Sequence, residues 1–391
     1  MFTSRWIRWA LCWKLFEWIP SLGRALNFPL QATFAGEFAD VVLEDEAQEL
    51  AFSPEALEQA KVVLLRAMAN DYGDTSTYPE GRSGLRSLLF KINQCIVIGN
   101  TMMVLDRSGG SVVALGAGRS NWNSAKPRLL RRRAAPEGSF FTLTCNGHFF
   151  HFFANDLIPL LYFLRRYGPQ IGSLHIVTRP DYPPFVQQTL EALCAVHDNV
   201  RIFVLEKTER LVDAPAIWLS RYPDTREWMP VTRAEADDLR AILVAHYHLP
   251  ASDEADRLLF VSRGSVRLRR LINEAELVAG LMEFDFEYFV PKADDHRSQI
   301  EAFRSARIVV AVHGAALTNL LFCRPGTLVI ELFASNHVKS TYCWLAMRLG
   351  LRYRPVIGSS GDYLQAFAVM PHEVVALVEA EIEDHDRPSL P

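Results

Sequence analysis

The sequence predicts an α/β protein built from two doubly wound domains, and three observations support this prediction. From residue 139 to residue 383, short apolar runs alternate with longer segments of helical periodicity. The apolar runs are continuous rather than alternating, which is typical of parallel strands covered by helices on both faces. The chain has 391 residues, a length that suits two domains.

The first half of the chain supplies the elements of the first domain. Apolar runs with Gly, Asn and Ser between them predict early strands at 95–98, 102–105 and 112–115. Regular alternation then predicts strands at 139–145, 173–178, 200–205 and 215–219. Helices are predicted at 150–166, 184–196 and 232–248. The last of these helices begins with Thr232 and Glu235, the spacing of a capping box.

The polar segment 249–257 contains a proline and marks the predicted domain boundary. We therefore place the first domain at 1–250 and the second at 251–391. Strands of the second domain are predicted at 258–262, 286–290, 307–312, 327–333 and 351–357. Helices are predicted at 273–283, 295–305, 315–322, 338–349 and 371–383. The last helix either stays with the second domain or packs back on the first. Ligands of such a domain bind off the carboxyl ends of its parallel strands.

Charge and cysteine usage narrow the class of protein. The net charge of −4 excludes a protein whose main partner is nucleic acid, because such proteins carry a strongly basic surface. The six cysteines form no C-x-x-C pair and have no zinc-ligand spacing. Isolated thiols of this kind are typical of a reducing compartment. We therefore expect a cytoplasmic protein, either free or at the inner face of the membrane.

The expectation of a membrane contact depends on residues 1–30. The segment 1–19 combines tryptophans with arginines and a lysine, the composition of an interfacial anchor. Charged residues interrupt its apolar stretch, which is too short to span a bilayer. Two interpretations stay open: a helix that packs on the body of the protein, or a peripheral contact with the membrane surface.

The segment 307–333 carries the clearest chemical signal. A predicted buried strand ends at Val312, and His313, Gly314, Ala315 and Ala316 then lead into a helix. Small residues let a ligand approach the backbone, and the free N–H groups of a helix N-terminus suit a diphosphate. His313 stands where it can donate to a phosphate or a sugar hydroxyl. By these features alone, close packing of a helix against a strand explains the pattern equally well.

The same segment resembles the signature of glycosyltransferase family 61, also described as the DUF563 type. In that family a strand is followed by H-G-A-x-L-T-N-x-x-F, then by P-G-T and a hydrophobic strand ending in I-E-L. Every fixed position of this pattern is present here: His313, Gly314, Ala315, Leu317, Thr318, Asn319, Phe322, Pro325, Gly326, Thr327, Ile330, Glu331 and Leu332. The resemblance covers residues 140–335. Bacterial members of this family act in capsular and surface-polysaccharide synthesis, and the resemblance extends to that branch.

Two further segments support the resemblance. Residues 259–274 resemble the strand–Ser–Arg element of the family, and they place Arg263 directly after a strand, with Arg267 nearby. The arginine fork suits a diphosphate because it forms bidentate, charge-assisted hydrogen bonds. Residues 148–163 resemble the family's aromatic run with a histidine, one or two acids and L-x-P-L. His151 and Asp156 match that run, whereas Asn155 stands where relatives often have Asp.

The resemblance implies a GT-B arrangement, in which two Rossmann-like domains face a cleft, and an inverting transfer from a UDP-sugar. The acceptor is then a glycan or glycolipid of a surface or capsular polysaccharide. Predicted donor-diphosphate ligands are Arg263, Arg267, His313, Gly314, Ala315, Ala316 and Asn319. Predicted catalytic residues are His151, Asp156 and His313. Glu331 is predicted to bind the ribose hydroxyls of the nucleoside, and a strand-end salt bridge is the alternative.

No cofactor beyond the nucleotide-sugar donor and no protein-bound metal are expected. The literal D-x-D of the sequence, at 384–386, lies in a charged tail. A divalent cation held by the nucleotide itself is compatible with this prediction. Two other functions stay open for the same fold. One is a sugar-nucleotide epimerase, and the other is a catalytically inactive protein that binds a glycan or nucleotide, which Asn155 favours.

Overall fold

The structure is a computed structural model that describes residues 32–34, 41–44, 48–51, 82–85, 88–100, 102–105, 111–113, 130–143, 147–221, 229, 231–250 and 255–386. The segment 1–30, predicted as a packing or membrane-surface helix, lies outside the described residues. The chain divides into two compact units. The first holds the described residues up to 221 except 48–51 and 82–85, and the second holds these two strands and the described residues from 229 onward.

Twelve strands precede residue 222 in the described part of the chain. They are β1 (Ala32–Phe34), β2 (Val41–Glu44), β3 (Gln48–Ala51), β4 (Arg82–Leu85), β5 (Leu88–Ile98), β6 (Met103–Leu105), β7 (Ser111–Val113), β8 (Arg131–Ala134), β9 (Ser139–Thr142), β10 (Leu174–Thr178), β11 (Val200–Val204) and β12 (Glu209–Arg221). Ten of them form one sheet with the order β1-β7-β6-β5-β12-β9-β10-β11, in which β2 pairs with β5 and β8 pairs with β12. Strands β3 and β4 pair with each other.

The sheet of the first unit is mixed, so the prediction of a purely parallel, doubly wound first domain is too simple. Strand β9 pairs in parallel with β10 and β12, as predicted for this region. Strand β12, however, pairs antiparallel with β5 along most of its length. This antiparallel pairing was not predicted from the sequence, because polar residues interrupt the apolar run of β5 at Lys91, Asn93 and Gln94. A pattern search for continuous apolar runs therefore finds only the end of that strand, at 95–98.

Two helices cover the parallel part of this sheet, and the first has an irregular beginning. A helical segment starts at Phe149–His151, continues as a π-helix over Phe152–Leu157 and becomes helix α1 (Ile158–Tyr167). Helix α2 spans Pro184–Val196 and follows β10. Gly147, with φ of 74°, turns the chain into the first segment beside Pro183. The segment therefore begins at the edge where β9 and β10 end.

The second unit contains a five-stranded parallel sheet. Its strands are β13 (Arg257–Val261), β14 (Glu287–Phe289), β15 (Ala306–Val312), β16 (Leu328–Phe333) and β17 (Arg352–Ile357). Its helices are α3 (Arg233–His246), α4 (Glu274–Leu281), α5 (His296–Arg304), α6 (Thr341–Leu349) and α7 (Pro371–Asp386). Short 3₁₀-helices cover Met282–Phe284 and Ala315–Phe322. All of these elements match predicted ones, although 315–322 is 3₁₀ rather than α-helical.

The strand order of this sheet, β14-β13-β15-β16-β17, locates the place where a ligand would bind. The chain leaves β13 toward β14 on one side and then returns to β15 on the other. Such a reversal is a topological switch point, and the crevice outside the carboxyl ends of the two central strands is the usual ligand site. Here the loops after β13 and β15 border that crevice, and they begin with Ser262 and His313.

Apolar side chains of the sheet pack into a core on the face covered by α4 and α7. Phe260, Val310 and Ile330 are fully buried there against Leu277 and Val378. Helix α7 thus packs on its own unit, and the suggestion that it also packs back on the first domain stays a prediction. Contacts in the structure group α3 with the second unit. The domain boundary at 250/251 stays a prediction. None of the described helices is both long enough and apolar enough to span a bilayer.

Candidate functional site

Arg263 lies at the switch point of the second unit and joins its two central loops. It follows β13 directly, and its Nη1 donates to the backbone oxygen of His313 at 3.0 Å, while its Nε donates to Leu268 O at 3.0 Å. Burial, and next the charge of Arg269, lowers the pKa of Arg263 to about 10, so the guanidinium stays charged at neutral pH. The loops after β13 and β15 therefore share one fixed cation, and the predicted binding of the donor diphosphate by Arg263 stays a prediction.

Gly314 makes room for this arginine. A Cβ built on Gly314 would overlap the guanidinium of Arg263. The backbone of Gly314 is extended, with φ of 174°, a conformation open to any residue. The glycine is thus required by the close approach of the arginine and not by backbone conformation. The predicted contact of Gly314 with the donor diphosphate stays a prediction.

Arg269 is a second cation of the site, and the sequence interpretation did not single it out. Its backbone has φ of 58°, and its N–H donates to Leu364 O at 2.7 Å. Its Nε is buried without a hydrogen-bond partner among the described residues. Burial lowers the pKa of Arg269, and its charge also affects Arg263, His313 and Glu331. A half-buried guanidinium of this kind is suited to an anionic ligand.

His313 and Glu331 form a buried pair under helix α6. His313 is 7% exposed and Glu331 is 0% exposed. His313 Nδ1 lies 2.6 Å from Glu331 Oε1, and the Tyr353 hydroxyl donates to Glu331 Oε2 at 2.5 Å. The His313 ring stacks on Phe333 with 5.3 Å between centroids. Both oxygens of Glu331 are thus engaged within the protein, so its side chain orients His313 instead of facing the ribose as the sequence suggested.

Burial decides the charge of this pair. It raises the pKa of Glu331 to about 8, although the Tyr353 hydroxyl and Arg269 act in the opposite direction. It also lowers the pKa of His313 well below its usual range, and Arg269, Arg263 and Lys339 lower it further. At neutral pH both groups are therefore uncharged. A neutral Glu331 does not cancel the positive charge of Arg263 and Arg269.

The 3₁₀-helix after His313 completes the site with backbone groups. Leu317 N donates to Gly314 O at 3.0 Å, and the first N–H groups of a helix have no intrahelical partner. Ala315 and Ala316 are half-buried at this end. Asn319, in contrast, is fully buried, and its Nδ2 donates to Gln299 Oε1 and Ala316 O. Asn319 thus holds the helix in place, which differs from the predicted contact with the diphosphate.

The loop that carries both arginines is fixed by a distant segment. Between Arg263 and Leu271 the side chains are mostly exposed, and Arg267 is among the exposed ones. The contact predicted between Arg267 and the diphosphate therefore stays a prediction. On the far side of the loop, Phe367 N donates to Arg270 O, and Ile272 N donates to Phe367 O. This pairing holds the loop so that Arg263 and Arg269 share one environment.

The first unit contributes a separate group of candidate residues where β9 ends. His151 is half-buried, its Nδ1 lies 3.4 Å from Asn155 Nδ2, and its ring centroid is 5.1 Å from that of His148. Burial lowers the pKa of His151, and His148 lowers it further. Asp156 is 1% exposed and lies in the π-helical stretch, a local irregularity that is frequent at functional sites.

Sequence reasoning missed three participants: Arg269, His148 and Tyr353. A signal existed for Arg269, which follows Arg263 within the same arginine-rich loop. His148 lies three residues before His151, the spacing of one helical turn. Tyr353 had no local signal, because its contact with Glu331 arises from the pairing of β16 with β17. Within the described residues, no group of three His, Cys, Asp or Glu side chains is arranged to hold a metal ion.

Comparisons with known proteins match the part of the chain that contains most of these candidate residues. Residues 147–330 match the family model described as Glycosyltransferase 61. The chain is similar to protein O-linked-mannose beta-1,4-N-acetylglucosaminyltransferase 2 of Tetraodon nigroviridis, with 33% identity over 110 residues, which is 27% of this chain and 16% of that protein. It is also similar to the beta-1,2-xylosyltransferase XAX1 of Oryza sativa subsp. japonica, with 25% identity over 228 residues, 54% of this chain.

The chain spans 39% of the length of the rice protein and less of the other relative. The match to the family model includes the loops after β13 and β15 and the helical segment with His151. These comparisons support the resemblance to glycosyltransferase family 61 over those residues.

Proposed function

We propose that this chain is an inverting glycosyltransferase that moves a hexose or pentose from a UDP-sugar to a glycan or glycolipid acceptor. The observation that carries the proposal is the pair of half-buried guanidiniums, Arg263 and Arg269, beside His313 at the switch point of a parallel sheet. The names of the two relatives describe transfer of N-acetylglucosamine and of xylose. Transfer requires an anion site of this kind, because the leaving group is a nucleoside diphosphate.

The residues fit the charge changes of an inverting transfer. The acceptor oxygen attacks the anomeric carbon, the bond from that carbon to the diphosphate oxygen breaks, and its electron pair stays on the phosphate. Arg263, Arg269 and the N–H groups at Gly314–Ala316 would stabilise this developing charge. The acceptor proton passes to a base. His151 suits that role, because its lowered pKa keeps it neutral at pH 7, and Asp156 is the other candidate.

The finer parts of the proposal follow the family resemblance. They are a GT-B arrangement of the two domains, an acceptor in surface or capsular polysaccharide and a cytoplasmic location with peripheral membrane contact through residues 1–30. Both relatives named above are eukaryotic, so the capsular acceptor rests on the resemblance alone. The donor needs no protein-bound metal in this scheme, and a divalent cation on the nucleotide is compatible with it.

Nucleotide binding tests the donor site directly. We expect calorimetry to detect binding of UDP and UDP-sugars in preference to GDP and CMP. Arg263→Ala and Arg269→Ala should each weaken UDP binding by about 10- to 100-fold, because a hydrogen bond between charged groups contributes about 1.5–3 kcal/mol. Arg270→Ala is the matched control, since its side chain is exposed beside Arg269. Arg267→Ala reports on the predicted contact of that arginine.

The outcomes separate the competing functions. Absence of binding for every nucleotide would remove the transferase proposal. UDP binding that survives both arginine substitutions would move the donor away from the switch point. If UDP-sugar is bound but only epimerised or hydrolysed in the presence of glycan acceptors, the epimerase alternative gains support. Binding without any turnover would favour the inactive binding protein that Asn155 suggests.

A further inference from the structure

We propose that Glu331 is a positioning residue that holds a proton and, by donating it to His313 Nδ1, presents His313 Nε2–H to the donor diphosphate. This inference rests on the proposed function and concerns the same site. It differs from the role that the sequence suggested for Glu331, which was a direct contact with the nucleoside.

The geometry fixes the imidazole from two sides. Glu331 Oε1 is 2.6 Å from His313 Nδ1, and the other oxygen of the carboxyl group accepts from Tyr353 at 2.5 Å. Phe333 stacks on the ring at 5.3 Å, and the Tyr342 ring lies 5.4 Å away. Since Nδ1 is committed to Glu331, Nε2 is the nitrogen left to meet a ligand.

The position of one proton then decides whether Nε2 attracts or repels a phosphate. If Glu331 is ionised, it accepts from Nδ1–H, and a neutral ring presents a lone pair at Nε2. A lone pair facing an anionic diphosphate is repulsive. If Glu331 is protonated, it donates to Nδ1, and the same neutral ring carries its hydrogen on Nε2. With a neutral ring, only the second arrangement lets His313 donate to the diphosphate, and the lowered pKa of His313 disfavours the imidazolium, which would donate from both nitrogens.

The surroundings favour the protonated carboxyl group at neutral pH. Burial raises the pKa of Glu331 to about 8, against the opposing effects of Tyr353 and Arg269. The titratable or charged groups that face the pair are Arg263, Arg269, His337, Lys339, Tyr342, Cys343 and Tyr353. Burial raises the pKa values of Tyr342, Cys343 and Tyr353 above their usual range, so these three groups do not ionise near pH 8.

A pH dependence of donor binding follows. Below about pH 8 the carboxyl group keeps its proton, and Nε2–H supports binding. As the pH rises through the pKa of Glu331, the lone pair replaces Nε2–H and affinity falls, approaching about tenfold per pH unit where binding requires the protonated form. A bound diphosphate adds negative charge nearby, so it raises this pKa and stabilises the arrangement that binds it.

The test compares UDP binding between pH 6.5 and 9 for the intact protein, Glu331→Gln and Tyr353→Phe, by calorimetry. Glutamine does not ionise, and its amide can donate to Nδ1 while its oxygen accepts from Tyr353. We expect Glu331→Gln to bind UDP at pH 7 within about threefold of the unmodified protein and to lose the fall above pH 8. Tyr353→Phe removes a donor that favours the carboxylate, so the fall should move to higher pH.

The results separate this inference from the proposed function. If the intact protein and Glu331→Gln show the same fall above pH 8, or if Tyr353→Phe moves it to lower pH, the inference is wrong while the donor site stands. Protein that binds no UDP at any pH would overturn both. If Glu331→Gln fails to fold, Tyr353→Phe and ¹⁵N NMR of His313 still decide, because protonated Nε2 at pH 7 is required.

Discussion

At the scale of single residues, the surroundings of His151 set its pKa and therefore how easily it accepts a proton. It is half-buried, it lies beside His148, and it contacts the amide of Asn155 through Nδ1. Burial and the neighbouring histidine both lower its pKa, whereas a carboxylate at position 155 would raise it. The residue that departs from the family pattern thus touches the proposed base.

Asn155→Asp should therefore shift the acidic limb of the pH profile of transfer. The added negative charge near Nδ1 raises the pKa of His151, so kcat/KM should start to fall at a higher pH when the solution is acidified. Measured pH–rate profiles check this expectation, with His372→Ala as a control because His372 is exposed on α7. An unchanged profile would remove His151 as the base and point to Asp156.

Single residues also mark the limit of what the sequence could predict about the site. Arg263, His313 and Gly314 were predicted to lie at the site because they follow strands directly, and a position after a strand is visible in the sequence. Glu331 was assigned by its position at a strand end, but side chains of a strand alternate between two faces. The packing of α6 and the register of β17 decide which face of the sheet the Glu331 side chain uses. They also bring Tyr353 into contact with Glu331 there.

At the scale of elements, the loop after β15 must approach the loop after β13 very closely. Gly314→Ala should weaken UDP binding by about tenfold or more, because the new methyl group displaces the Arg263 guanidinium. The free energy of unfolding should change little, since the extended backbone of Gly314 accepts alanine. Calorimetry and thermal unfolding of the same variant separate the two effects.

Gly172→Ala is the matched control for this substitution, because a Cβ at Gly172 would meet no heavy atom within 4 Å. It should alter neither binding nor stability. A Gly314→Ala protein that binds UDP with unchanged affinity would contradict the geometry of the site.

Helical and parallel-strand elements of this region were predictable because their apolar periodicity is local. The long antiparallel pairing of β5 with β12 was not, since polar residues interrupt β5.

At the scale of the whole molecule, the residues of the proposed donor site belong to the second of the two compact units. Saturation with UDP at about 100 times its Kd stabilises the state that binds it by about 2.7 kcal/mol. We expect hydrogen exchange to slow at 263–272, 313–319 and 364–367, and to change little in β9, β10 and β11. Arg263→Ala should abolish this protection. Protection confined to the first unit would assign the nucleotide to that unit instead.

Length and alternation predict two domains with a boundary after α3, and this boundary stays a prediction, while contacts in the structure group α3 with the second unit. Helix α3 is amphipathic, but its own sequence does not indicate which of the two cores its apolar side chains pack against. The contacts of α3 with α6 and with the 3₁₀-helix at Ala315–Phe322 decide it. Such assignments depend on tertiary packing, which a periodicity pattern does not contain.

The bonds between the arginine loop and the segment around Phe367 also bear on how the protein acquires its site during synthesis. Arg269 is held by Leu364, Ile272 by Phe367, and the Asn273 side chain by Val369, so each partner lies roughly ninety residues later. Contacts this distant in sequence form late, because a long loop must close first. A growing chain can therefore assemble strands β13 to β16, and with them the contact of Arg263 with His313, well before Arg269 is held in place. We therefore expect the proposed nucleotide site to be complete only when residues near 369 have joined the fold.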